Sequence, residues 1–71
     1  MMRRMAYVEV HPQGGGFQIR FVPPCEIEEP FVSTAAFVDP ILGELGVRAI
    51  GPWEEATNEH GDTFQRALIL G

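Results

Sequence analysis

Lysine is absent from this 71-residue sequence, and cysteine occurs once, at Cys25. The lone cysteine excludes an internal disulfide, and an unpaired thiol fits a reducing compartment, for which the cytoplasm is the expectation. No apolar run approaches the ~20 residues that span a bilayer, so no membrane partner is expected. The opening Met1-Met2-Arg3-Arg4-Met5 has the charge of a signal peptide, but Glu9 and His11 interrupt the apolar stretch that should follow. Linkers, low-complexity tracts and internal repeats are also missing, which leaves a single domain over 1–71. A domain of this size buries only about 60% of the surface its unfolded chain exposes. It therefore depends on a compact core or on association, and a homodimer is one form association would take.

What is present is acid. Ten aspartates and glutamates face five basic residues, giving a formal net charge of −5. The basic residues are all arginines: Arg3, Arg4, Arg20, Arg48 and Arg66. Carboxylates gather at Glu26, Glu28 and Glu29, and again at Glu54, Glu55, Glu59 and Asp62. Such a surface repels a phosphate backbone, so direct nucleic-acid binding is not expected. A basic protein surface would be attracted, with a pull that weakens as salt rises. A hydrophobic fraction of 45% is ordinary for a globular domain and argues against disorder.

Residues 6–11 alternate, with Ala6, Val8 and Val10 on one face and Tyr7, Glu9 and His11 on the other. Phe17, Ile19 and Phe21 alternate with Gln18 and Arg20 in the same way. Period two reads as half-buried strands, and Pro12-Gln13-Gly14-Gly15-Gly16 between them supplies the glycine-bearing turn of a hairpin. Setting Val10 against Phe17, and Val8 against Ile19, puts apolar opposite apolar and Tyr7 opposite Arg20. Pro23-Pro24 ends the second strand, and 25–30 reads as an acidic loop or a short edge strand.

Ser33 is a candidate helix N-cap, and Gly46 sits where a C-terminal helix glycine belongs. Phe37, Ile41, Leu42 and Leu45 form one apolar stripe between them. Pro40 leaves two readings open: a kinked helix from Ser33, or a shorter one capped by Asp39 with Pro40 in its first turn. Residues 47–57 read as a third strand broken at Gly51-Pro52, and 63–70 as a fourth. The polar turn 58–62 joins them, setting Glu54 opposite Arg66 and Trp53 opposite Ala67. The expected fold is α+β, an antiparallel sheet of about four strands in the order β-β-α-β-β with one short helix on one face.

Motifs for chemistry are scarce. The glycine run lacks the lysine and following helix of a phosphate loop. Cys25 stands beside Glu26, and an adjacent carboxylate opposes thiol activation. Glu59, His60 and Asp62, with a distant His11, match no zinc or calcium spacing. Paired carboxylates for acid–base work need a cleft that so short a chain has little room to build. No catalytic residue, metal or cofactor is expected.

Trp53 and Tyr7 are candidate anchors for a partner, since Trp, Tyr and Arg are enriched at interface hot spots. The simpler account of Trp53 is that it closes the core beside the helix. Likewise, scattered carboxylates often serve only solubility. The sharper reading makes Glu26, Glu28, Glu29, Glu54, Glu55 and Glu59 a surface that satisfies a partner's arginines and lysines. In size and charge the chain is similar to small acidic phage-encoded proteins that disarm host defence complexes, anti-CRISPR proteins among them. That likeness is one of type. The expected function is a non-enzymatic inhibitor or regulator that blocks a basic surface of a larger protein. The alternative is a homo-oligomeric structural or ligand-binding module.

Overall fold

The computed structural model describes residues 6–70. Arg3, Arg4 and the opening segment weighed against a signal peptide lie outside the described residues. The elements are β1 (Tyr7–Gln13), β2 (Gly16–Val22), β3 (Phe31–Val32), a 3-10 turn (Ala35–Phe37), α1 (Val38–Glu44), β4 (Arg48–Ala49), β5 (Glu54–Thr57) and β6 (Thr63–Leu70). They form an antiparallel sheet in the order β3-β2-β1-β6-β4, with β5 also paired to β6. The α+β class with one short helix stands, but the sheet has six strands instead of about four. Two residues at Phe31–Val32 are too few to show a period, and the break at Gly51-Pro52 divides the expected third strand into β4 and β5.

The first hairpin forms with a register two residues away from the expected one. Val10 faces Ile19, Val8 faces Phe21, and Tyr7 faces Val22 instead of Arg20. A two-residue turn is the cause: Gln13 pairs with Gly16, and only Gly14 and Gly15 lie between, both at positive φ (55° and 83°). Primed turns of this kind match the twist of the strands they join. Pro12 is tolerated in the strand because pairing with β6 stops at Val10, so no ladder bond is needed on that side. A slip of two preserves every face, so the apolar side survives intact. Gly16 has a different reason to be glycine. A Cβ there would fall on the Val32 carbonyl oxygen and 2.6 Å from Phe31 Cζ, so β3 lies hard against it.

Val8 and Ile19 are fully buried, joined in the core by Val10, Phe21, Val32, Val38, Leu42, Val47 and Ala67. Each of these side chains except Ala67 contributes roughly 1.5–3 kcal/mol on burial. Helix α1 covers this inner face through Val38 and Leu42. Phe37, expected in the stripe, is 53% exposed. Thr34, not Ser33, caps the segment: its Oγ1 accepts from Ala36 N at 3.3 Å. The 3-10 turn that follows winds more tightly than an α-helix, which rotates Phe37 outward and Val38 inward. Pro40 occupies the third helical position, in the first turn. At the other end Gly46 has φ 75°; its N–H donates to Gly43 O and that of Val47 donates to Leu42 O, a Schellman closure.

Strand β6 lies between β1 on one side and β4 and β5 on the other. Glu54 faces Arg66 as expected, but Trp53 does not face Ala67. Between Ala49, paired with Ile69, and Glu54, paired with Arg66, one strand advances five residues while β6 advances three. Trp53 stands in the resulting bulge.

Candidate functional site

On the inner face, paired positions run Ile19, Val10, Gln65 and Glu55 across β2, β1, β6 and β5. The bulge at 51–53 turns the half-buried Trp53 toward this row. With Val10, Ala35, Val38, Asp39 and Gln65 it lines a cavity of about 250 Å³ between the sheet and the start of α1. Trp53 thus packs on the core and also walls an open cavity. Asp39 comes from the first helical turn, and Glu55 stands exposed one strand beyond Gln65 on the same face.

The two acidic groups occupy opposite edges of the sheet. Glu26 and Glu28 are exposed in the loop that leads into β3. Glu29 is tied to the fold: its Oε2 accepts from Phe21 N at 3.0 Å, while its carbonyl accepts from Gln18 Nε2. Glu54 and Glu55 project from β5 and Glu59 from the following turn, all exposed. Asn58 builds that turn, its Oδ1 accepting from His60 N and Asp62 N. Strands β2, β1 and β6 separate the edges, a distance of ~19 Å at about 4.8 Å per strand. Between the edges lies α1. Asp39 faces the β5–β6 side, and Glu44 lines a groove with Phe31 and Val32 on the β3 side. The sequence offers Asp39 as a helix cap, but Phe37 holds that position and Asp39 lies inside the first turn. The spacing of five between Asp39 and Glu44 along the helix was the signal that acid continues across it.

The outer face carries the described arginines, with Glu9 and Glu54 among them. Arg20 and Arg66 flank Glu9 on neighbouring strands, and Arg48 pairs with Leu70, which shares a face with Arg66. All three described arginines therefore lie on the side away from α1. Tyr7 is there too, half-buried, with the Arg66 guanidinium 5.2 Å from its ring centroid. His11 stacks on Phe64 at 4.3 Å and donates from Nε2 to Glu9 Oε1 at 2.9 Å, the one contact of a histidine or arginine with a carboxylate within 4.0 Å among the described residues. Arg66 Nε is buried and has no hydrogen-bond partner.

Thus the structure sets Asp39 beside Trp53 in one cavity lining, leaves Glu55 on the adjoining strand of the same face, and puts Tyr7 and Glu54 on the opposite face with Arg66. Among the described residues no three His, Cys, Asp or Glu side chains are grouped to hold a metal ion. His11 and Asp62 line one shallow depression with Asn58, and Glu59 and His60 do not join them. Cys25 is exposed. No helix among the described residues is long and apolar enough to cross a membrane. Comparison with family models, curated proteins and solved structures finds no match.

Proposed function

We propose that this chain is a small, non-enzymatic binding protein whose acidic side engages a basic surface of a larger protein and blocks it. The observation that carries the reading is a group of exposed carboxylates set apart from the described arginines. Arg20, Arg48 and Arg66 lie on the outer face, so Glu26, Glu28, Asp39, Glu44, Glu55 and Glu59 have no arginine of the described chain to satisfy them. Carboxylates left unpaired on a folded surface are ready to accept a partner's arginines and lysines. An interface of standard size covers about 800 Å² per partner, ~28 Å across, which reaches both acidic edges. A basic surface that normally grips phosphates suits such an array, and size and charge agree with inhibitors of the phage anti-defence type. Reversing Glu55→Lys and Glu59→Lys together tests the reading, since both are exposed and neither is paired with an arginine. Capture of basic proteins from a lysate should fall while the melting temperature holds, and equal capture by both forms would count against it.

One observation favours a second reading, a homodimer. Phe31 (51% exposed) and Phe37 (53% exposed) flank a groove with Pro40 and Ile41 beside the outermost strand, β3. Unpaired edges invite pairing with a second copy. Light scattering at high micromolar concentration separates the readings: a monomer mass removes the dimer.

A further inference from the structure

We infer that the cavity walled by Trp53 is the pocket into which the partner inserts an arginine side chain, an inference that rests on the binding function proposed above. Val10, Ala35, Val38 and the Trp53 indole make most of the lining apolar, which suits an alkyl stem. One carboxylate, that of Asp39, is in the lining itself, and Glu55 is the cross-strand neighbour of the lining residue Gln65 on the same face. No described arginine approaches from this side, because all three lie on the outer face. The N–H groups in the first turn of α1 are locally positive and oppose a cation. Asp39, placed in that turn, offsets them, and Glu55 remains as the uncompensated charge. A carboxylate guest is therefore excluded, and a purely apolar guest leaves that charge unused.

Arginine fits better than lysine. Its planar head stacks on an indole face and forks onto a carboxylate, whereas ammonium is a compact and more strongly hydrated charge. The bulge supplies the geometry: it takes Trp53 out of the β6 ladder, so the indole walls a cavity where a regular strand would place it in register.

Trp53 is the sole tryptophan, so its emission reports on the cavity directly. The experiment titrates the full chain with acetylated hexa-arginine amide at low salt, following Trp53 emission and the anisotropy of a labelled peptide. The expected result is a saturable emission change that tracks anisotropy. Asp39→Asn with Glu55→Gln should weaken binding about tenfold, the equivalent of 1.4 kcal/mol. Glu26→Gln with Glu28→Gln should have a smaller effect. Should Asp39→Asn loosen α1, Glu55→Gln alone, at an exposed strand position, should still weaken binding roughly threefold. Hexa-citrulline, the same shape without charge, should leave the emission unchanged. An emission change with hexa-citrulline would show that the cavity does not select for charge and overturn the inference. Hexa-arginine binding seen by anisotropy, with silent Trp53 emission or with loss only in the Glu26/Glu28 variant, would overturn the pocket and leave the charge reading standing. Absence of any binding at low salt would overturn both.

Discussion

Replacing Gly16 with alanine tests how β3 is held on the sheet. Gly14 and Gly15 are glycine for their positive φ, but Gly16 is glycine because β3 presses on it. An added methyl meets the Val32 carbonyl and the Phe31 ring, with the ring carbons at 2.6 and 2.9 Å. The ring can swing aside, but the carbonyl is backbone and cannot. Two responses compete. Releasing β3 forfeits the burial of Val32, roughly 1.5–3 kcal/mol. It also breaks the bonds from Ile19 N to Pro30 O, Phe21 N to Glu29 Oε2, and Gln18 Nε2 to Glu29 O, at about 1 kcal/mol each. Keeping β3 and straining the backbone costs about 1–3 kcal/mol. The second response is cheaper, and the backbone contact puts it near 3 kcal/mol. For a domain this size each kcal/mol shifts Tm by roughly 4–8 °C, so Gly16→Ala should lower Tm by about 15 °C. Gly15→Ala meets no atom and should lose only the ~1–2 kcal/mol of a left-handed alanine. Gly14→Asn should change stability by less than about 0.5 kcal/mol, since asparagine tolerates φ 55°. Thermal and urea denaturation followed by circular dichroism gives all three values. A Gly16→Ala protein no less stable than Gly14→Asn would refute the packing of β3 over the hairpin.

Ile19→Ala empties a fully buried position and should cost about 2–5 kcal/mol, comparable with the whole stability of a 71-residue domain, as a urea midpoint would register. Gly46→Ala forces a left-handed alanine into the Schellman closure and should lower stability by about 1–2 kcal/mol on the same assay. Cys25→Ser should leave the melting curve within about 0.5 kcal/mol of the parent, because the thiol is exposed and packs on nothing the core needs.

Much of this fold was legible wherever a period ran long enough to fix a face. Alternation in 6–11 and 17–21 gives β1, β2 and their buried side, and the 58–62 turn gives the correct Glu54–Arg66 pair. The first register was misread because Pro12 looked like part of the turn, although a proline facing an open side can finish a strand. Phe37 was misplaced because a 3-10 turn shifts the helical phase, which no spacing of apolar residues announces. Sheet order was not legible: that β1 pairs with β6 is decided by long-range packing of Val8 against Ala67, not by a local pattern. For the same reason the candidate site was read as clusters along the chain. Only folding separates Glu26 and Glu28 from Glu54 and Glu55, brings Asp39 beside Trp53, and collects the described arginines on the other face.

Salt-graded capture is the most direct test of the central claim, that the acidic side binds a basic protein surface. Tagged protein and its Glu55→Lys/Glu59→Lys variant are each incubated with lysate and washed at about 0.1 M and then 1 M salt, where the screening length falls from ~10 Å to ~3 Å. Retained proteins are then identified by mass spectrometry. The account predicts a basic, phosphate-gripping protein held by the parent at low salt, released at high salt, and missing from the variant although both melt at the same temperature. Retention of the same proteins by both forms, or recovery of nothing but the chain itself at every salt concentration, would contradict it.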